Sequence, residues 1–212
     1  MSTHSKKEIR GSAPRVLAIV VTLVATSVVL TACAQNSAPP PPTVAASTAA
    51  ATGPDLMTSL ARDVDDVQKK LIDLANAMPE ATMAWRPMPG VRSVREVMLH
   101  VAGENYLIPG FMGMAPPTST GIVQSDLKTV DAYEKQDIKK AAAIADLQAS
   151  FDNLKKAMAA DSAVHMGDKI DFFGSQLTRQ QAWIGTVTHL HEHLGQAIAY
   201  ARSNKVVPPW SK

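Results

Sequence analysis

Thr188-His189-Leu190-His191-Glu192-His193-Leu194-Gly195-Gln196 lies inside an unbroken helical pattern that starts near Thr178 and runs to about Ser203. A helix advances about 100° per residue, so His189 and His193, four apart, stand nearly above one another and both imidazoles can reach one point in space. That is the geometry of a metal chelate. His191 lies about 200° around the same helix and faces away, and Glu192, about 60° off, reads as a surface residue. Gln196, three after His193, shares the histidine face and can orient it. The helix opens on a capping box, Thr178 with Gln181, and stops before Pro208-Pro209.

Working outward, a third histidine of the same character is His100, in Val94-Arg95-Glu96-Val97-Met98-Leu99-His100. This second segment, Val94 to about Ile108, also starts on a capping box, Ser93 with Glu96, and is stopped by Pro109-Gly110. A pair on one helix and one more from another gives three nitrogen ligands with positions left open, as a catalytic or substrate-binding divalent site requires. Glu104 follows His100 by four and falls on the same side, where it could hydrogen-bond a ligand or take a proton from water activated at the ion. His165 sits in a connector and reads as a loop histidine. The ten methionines are spread along the chain as core filling, not as a copper-binding set.

The remaining periodicity is helical as well. Asp55 to Met78 carries Leu56, Leu60, Val64, Val67, Leu71, Leu74 and Met78 on one stripe, ended by Pro79. A connector with Trp85, Pro87, Pro89 and Gly90 leads to Ser93. Phe111 to Val130, with Gly113, Pro116, Pro117 and Gly121, reads as a long irregular connection of the kind that tends to be functional. A third helix is expected from about Asp131 to Ala160, then a connector from Asp161 to Gln176. Four long helices with few strand signals predict an all-α domain, a four-helix bundle with a three-histidine metal site, over residues 54–212.

The first 33 residues stand apart. Lys6, Lys7, Arg10 and Arg15 precede an apolar stretch from Val16 to Leu30, and Leu30-Thr31-Ala32-Cys33 closes it. The pattern resembles a bacterial lipoprotein signal peptide, which implies cleavage before Cys33 and acylation of that cysteine. The apolar run is at or below the length that spans hydrocarbon, which favours cleavage over a transmembrane anchor. Residues 34–53, with Pro39 to Pro42 followed mostly by Ala, Thr and Ser, read as a tether. Ala34 follows Cys33 where Asp would favour inner-membrane retention, so outer-membrane attachment is expected in a two-membrane host. Cys33 is the only cysteine, so no disulfide forms within the chain.

Of 21 basic and 19 acidic side chains, four and one belong to residues 1–33, leaving 17 and 18 and a net charge of −1. A near-neutral domain with no basic run excludes an electrostatic footprint for nucleic acid. The H-x-x-E-H reading of residues 189–193 as a metalloprotease motif fails because no acidic residue follows Glu192 to complete its ligands.

Three pieces together resemble the DinB family of metalloenzymes: Trp85-Arg86-Pro87 with Pro89-Gly90, Ser93 to Gly103 containing His100, and His189 to Gln196 with its His, three residues, His, one residue, Gly-Gln order. The resemblance spans about residues 55 to 205. It implies a four-helix bundle whose divalent metal (Zn, Ni or Fe) is held by His100, His189 and His193. Many members have a further His beside the second ligand and an Arg after it; this chain has Glu192 and Leu194 there. The family includes thiol-dependent transferases, but an exported domain meets little of the cytosolic thiol pool, which tilts the expectation to hydrolysis. The expected protein is a metal-dependent enzyme acting on a small molecule at the cell envelope, held to the membrane by its lipid, with a homodimer left open. The alternative is a non-catalytic envelope protein that binds a metal or ligand.

Overall fold

In the computed structural model the described residues are 55–161 and 163–211. The expected signal and tether lie outside them. Five helices and one hairpin follow in order: α1 Leu56–Ala77, α2 Val94–Leu107, α3 Lys128–Glu134, α4 Lys140–Ala160, β1 Lys169–Phe172, β2 Ser175–Thr178 and α5 Arg179–Ser203.

Three of the long helices, α1, α2 and α5, begin on a side-chain cap. Asp55 caps α1 by accepting from the Thr58 amide at 2.8 Å. Both expected capping boxes form: the Ser93 amide donates to Glu96 Oε2 at 2.6 Å and the Thr178 amide to Gln181 Oε1 at 2.9 Å, and each cap hydroxyl accepts in return. Of the α1 stripe, Val64, Val67, Leu71, Leu74 and Met78 are buried, while Leu56 at the start remains exposed.

Helix α2 is apolar on nearly every side and buried accordingly, packed on α4, α3 and α5; α1 closes the bundle against α4 and α5. The core runs between them through Leu99, Leu107, Leu147, Phe151, Leu154 and Trp183. Trp183, fully buried, satisfies its indole N–H by donating to Asp161 Oδ2 at 2.8 Å. The other oxygen of Asp161 accepts from Arg179 at 3.0 Å, and Arg179 also donates to the Met112 carbonyl at 3.1 Å, which ties the start of α5 to the ends of α4 and α2.

Two expectations need correction. The helix read from Asp131 to Ala160 is two helices, α3 and α4, separated at residues 135–139, although that stretch has neither Gly nor Pro. Tertiary contacts make the break. Asp137 is paired with Arg95 of α2, and the Lys140 ammonium donates to the carbonyls of Asn76 and Met78 at 2.8 and 2.5 Å, so α4 starts at the end of α1. Freed from α4, α3 lies across α2, where Val130 and Tyr133 cover Gly103. The second correction is the connector from Asp161 to Gln176. It contains the antiparallel hairpin β1–β2, with Phe172 opposite Ser175 and Phe173-Gly174 as a two-residue turn. Both turn residues have positive φ, 52° and 81°, the type I′ arrangement.

The expected irregular connection is largely that. It begins as a 3-10 turn, Ile108–Met112, carries another at Thr118–Thr120, and reaches α3 three residues early.

Candidate metal centre

Helices α2 and α5 bring His100, His189 and His193 together, with one nitrogen of each within 4.8 Å of the others. The three rings stand nearly perpendicular, their centroids 4.4 Å apart for His193 with each of the others and 5.5 Å for His100 with His189. His100 and His193 are buried and His189 is about one third exposed, so the cluster opens to solvent past His189.

The orientation of the rings is fixed from behind. His100 Nδ1 lies 2.5 Å from Glu134 Oε1 on α3, and His193 Nδ1 lies 2.9 Å from Gln196 Oε1. An oxygen acceptor at Nδ1 places the proton there and leaves the Nε2 lone pair directed inward. His193 Nε2 accordingly faces His189 Nε2, 3.0 Å away. Nitrogens about 2.0–2.1 Å from a shared ion lie about 3–4 Å apart, the spacing of the His189–His193 pair, and the group of three imidazoles could hold a metal ion.

The two outer acceptors belong to one hydrogen-bonded ring. Gln196 donates to Tyr200 Oη at 3.2 Å, and Tyr200 donates to the Arg92 carbonyl at 3.0 Å. The Arg92 guanidinium grips both oxygens of Glu134, at 2.8 and 3.2 Å, and Glu134 returns to His100. Trp85 packs edge-on against Tyr200, ring centroids 5.3 Å apart, which explains why the connector before α2 shares a signature with the last helix.

Glu104 is where its spacing from His100 puts it, but closer to the other helix. Its Oε2 is 2.7 Å from His189 Nε2 and its Oε1 3.5 Å from His100 Nε2. Burial works to raise this carboxyl, but the hydrogen bond from His189 and the charges of the three histidines outweigh it and hold Glu104 below the ordinary range. The same hydrogen bond raises His189 against its own burial. Burial dominates at His193 and pushes it down to about 4, so its ring is neutral at neutral pH. Burial also opposes ionisation of Glu134, yet hydrogen bonds from His100 and Arg92 bring it down to about 2.

The other singled-out residues fall outside the cluster. His191 pairs with Asp63 of α1 at 2.9 Å, exposed, and His165 pairs with Asp168 at 2.9 Å in its connector. Glu192 is mostly exposed, 3.7 Å from His189 Nδ1. Sequence reading missed Glu134, Arg92 and Tyr200. The signals for them were weak: Arg92 directly precedes the capping serine, and Tyr200 continues the face of Gln196 by four.

With this geometry in place, comparison with known proteins is informative. The DinB superfamily profile matches residues 63–197. Among solved structures, a conserved protein from Enterococcus faecalis is 18% identical with a TM-score of 0.58, the match covering 71% of this chain and 97% of that one. A DinB-like protein from Bacillus cereus is 14% identical with a TM-score of 0.57, covering 72% and 93%. A search of curated protein sequences gives no match. The profile match spans more than half of the chain, including all three clustered histidines, and the chain belongs to the DinB superfamily.

Proposed function

We propose that this is a metal-dependent enzyme of the bacterial cell envelope, anchored through acylated Cys33 and acting on a small molecule, with hydrolysis favoured over thiol transfer. The observation that carries the reading is the convergence of three imidazoles and the Glu104 carboxylate at the one place where the cluster meets solvent. Three nitrogens leave positions for water or substrate, and a bound divalent ion supplies Lewis acidity there. The protein does the rest. Glu134 and Gln196 hold their two imidazoles in the ligating tautomer, α2 and α3 exclude water from behind, and Glu104 is placed to accept a proton at Oε1 or Oε2 from a group entering past His189.

The test begins with metal analysis of the chain purified from envelope membranes, followed by a hydrolysis screen of the loaded protein. Glu104→Gln retains the size and hydrogen bonding of the residue but cannot take a proton. It should keep the ion and lose turnover by about 100-fold or more. Full turnover with the metal retained removes Glu104 from the mechanism. Stoichiometric ligand capture without turnover, unaffected by Glu104→Gln, favours a non-catalytic binding protein.

A further inference from the structure

One end of the bundle is apolar where its turn chemistry calls for polar residues. The type I′ turn of the β1–β2 hairpin favours Asn, Asp or Gly at its first central position, because that residue must take positive φ. Here it is Phe173, with φ 52° and 46% exposed. A bulky side chain in the left-handed region is strained, and the Phe173 ring lies outside the core cluster. It packs instead on two half-buried rings, Phe111 and Phe172, of which Phe111 rests against the core. Phe173 is 4.6 Å from Phe111 and 4.8 Å from Phe172 between ring centroids, and Phe111 is 5.0 Å from Phe172. Phe111 also lines an open groove of about 590 Å³ with Pro116, Val123, Gln124 and Asp171, and Val123 is half exposed. A turn rule broken by a bulky ring that stays nearly half exposed is expected at a functional surface.

The same end receives the segment that leads back to Cys33. Asp55 and Met57, the start of α1, line one groove with Met158 and Asp161 at the end of α4. Asp161 is bonded to Arg179 at the start of α5, directly after the hairpin. The chain therefore enters the domain at the end that carries the phenylalanines. The opposite end, with Met88 in the connector between α1 and α2, is where α4 begins beside the last turn of α1.

We propose that the Phe111–Phe172–Phe173 end rests in the headgroup region of the bilayer that holds the Cys33 lipid, so that a membrane surface is the docking partner of this tip. The inference rests on the reading of Cys33 as acylated. Asp168 and Asp171 outnumber Lys169 at this end, so attachment is apolar in character and does not weaken as salt rises, unlike that of a basic amphipathic surface.

The test uses the full acylated chain in vesicles of phosphatidylethanolamine and phosphatidylglycerol. Phe173→Cys and, separately, Met88→Cys each carry a nitroxide, Cys33 being consumed by its lipid. The label at position 173 should be severalfold more accessible to oxygen, and severalfold less to a water-soluble nickel chelate, than the label at position 88. Equal exposure of both positions on a chain whose Cys33 peptide carries acyl chains overturns the docking inference alone. A Cys33 peptide without lipid overturns the anchor reading and this inference with it. Phe173→Asn supplies the residue that the turn prefers. It should hold or raise the unfolding temperature while a label at Phe172→Cys moves into water, and a lowered unfolding temperature assigns the ring to the fold and overturns the proposal.

Discussion

His193 and His189 sit four apart on one helix yet have opposite proton affinities, because His193 is buried against an amide and His189 meets the Glu104 carboxylate at the open side. Both nonetheless offer one nitrogen to the same candidate metal group. His100→Ala, His189→Ala and His193→Ala should each weaken metal binding strongly in a titration, whereas His191→Ala, whose ring is on Asp63, should leave it almost unchanged. Glu134 carries a separate expectation. Its carboxyl falls from an ordinary 4.5 to about 2, so its contribution to stability is complete above about pH 4.5 and is lost as pH falls towards 2. Denaturant unfolding of Glu134→Gln should therefore lose more stability, relative to the parent, at neutral pH than near pH 2. The histidines were legible because helical spacing alone puts two of them on one face. Glu134 was not, since nothing local to Val130-Asp131-Ala132-Tyr133-Glu134 says that it will cross α2.

Helix α3 shows how an element can be misread and still be necessary. Its periodicity continues into α4 without a breaker, so sequence merged the two; the separation comes from Arg95, Asn76 and Met78, partners distant in sequence. Once detached, α3 is held by Tyr133, which donates to Asp146 of α4 alongside Tyr106 of α2. Gly103 lets it approach: a Cβ there would stand 3.1 Å from Tyr133 Cδ1 and 3.5 Å from Val130. Gly103→Leu should push α3 outward and weaken metal affinity by roughly tenfold, the scale of losing a group that supports a ligand, although it touches no ligand. Calorimetric titration of the variant with zinc reads this directly. The capping boxes, by contrast, were plain in the sequence, because the hydroxyl and the Glu or Gln lie within one turn of each other. Thr178→Ala should cost about 1 kcal/mol and lower the melting temperature by roughly 2–4 °C.

At the scale of the whole molecule, four long helices and their order were readable from apolar periodicity, while the hairpin was hidden in two four-residue strands among polar neighbours. The proposed retention at the membrane rests on one residue, Cys33, which lies outside the described residues. Cys33→Ser should abolish lipid labelling and leave the precursor unprocessed, as metabolic labelling with palmitate and mass analysis would show. The domain itself relies on Trp183 of α5, buried completely, and Trp183→Ala should destabilise it by about 3–5 kcal/mol through the void and the lost hydrogen bond to Asp161. The junction of β2 with α5 has a mechanical side. Thr178 is both the last residue of the strand and the cap of the helix, so no flexible residue separates hairpin from helix. The two turn as a single lever. His189 stands eleven residues past Thr178, about 16 Å along the axis, so a tilt of about 5° at the hairpin would swing its imidazole by roughly 1.4 Å, several times the ~0.2 Å tolerance of a coordination bond.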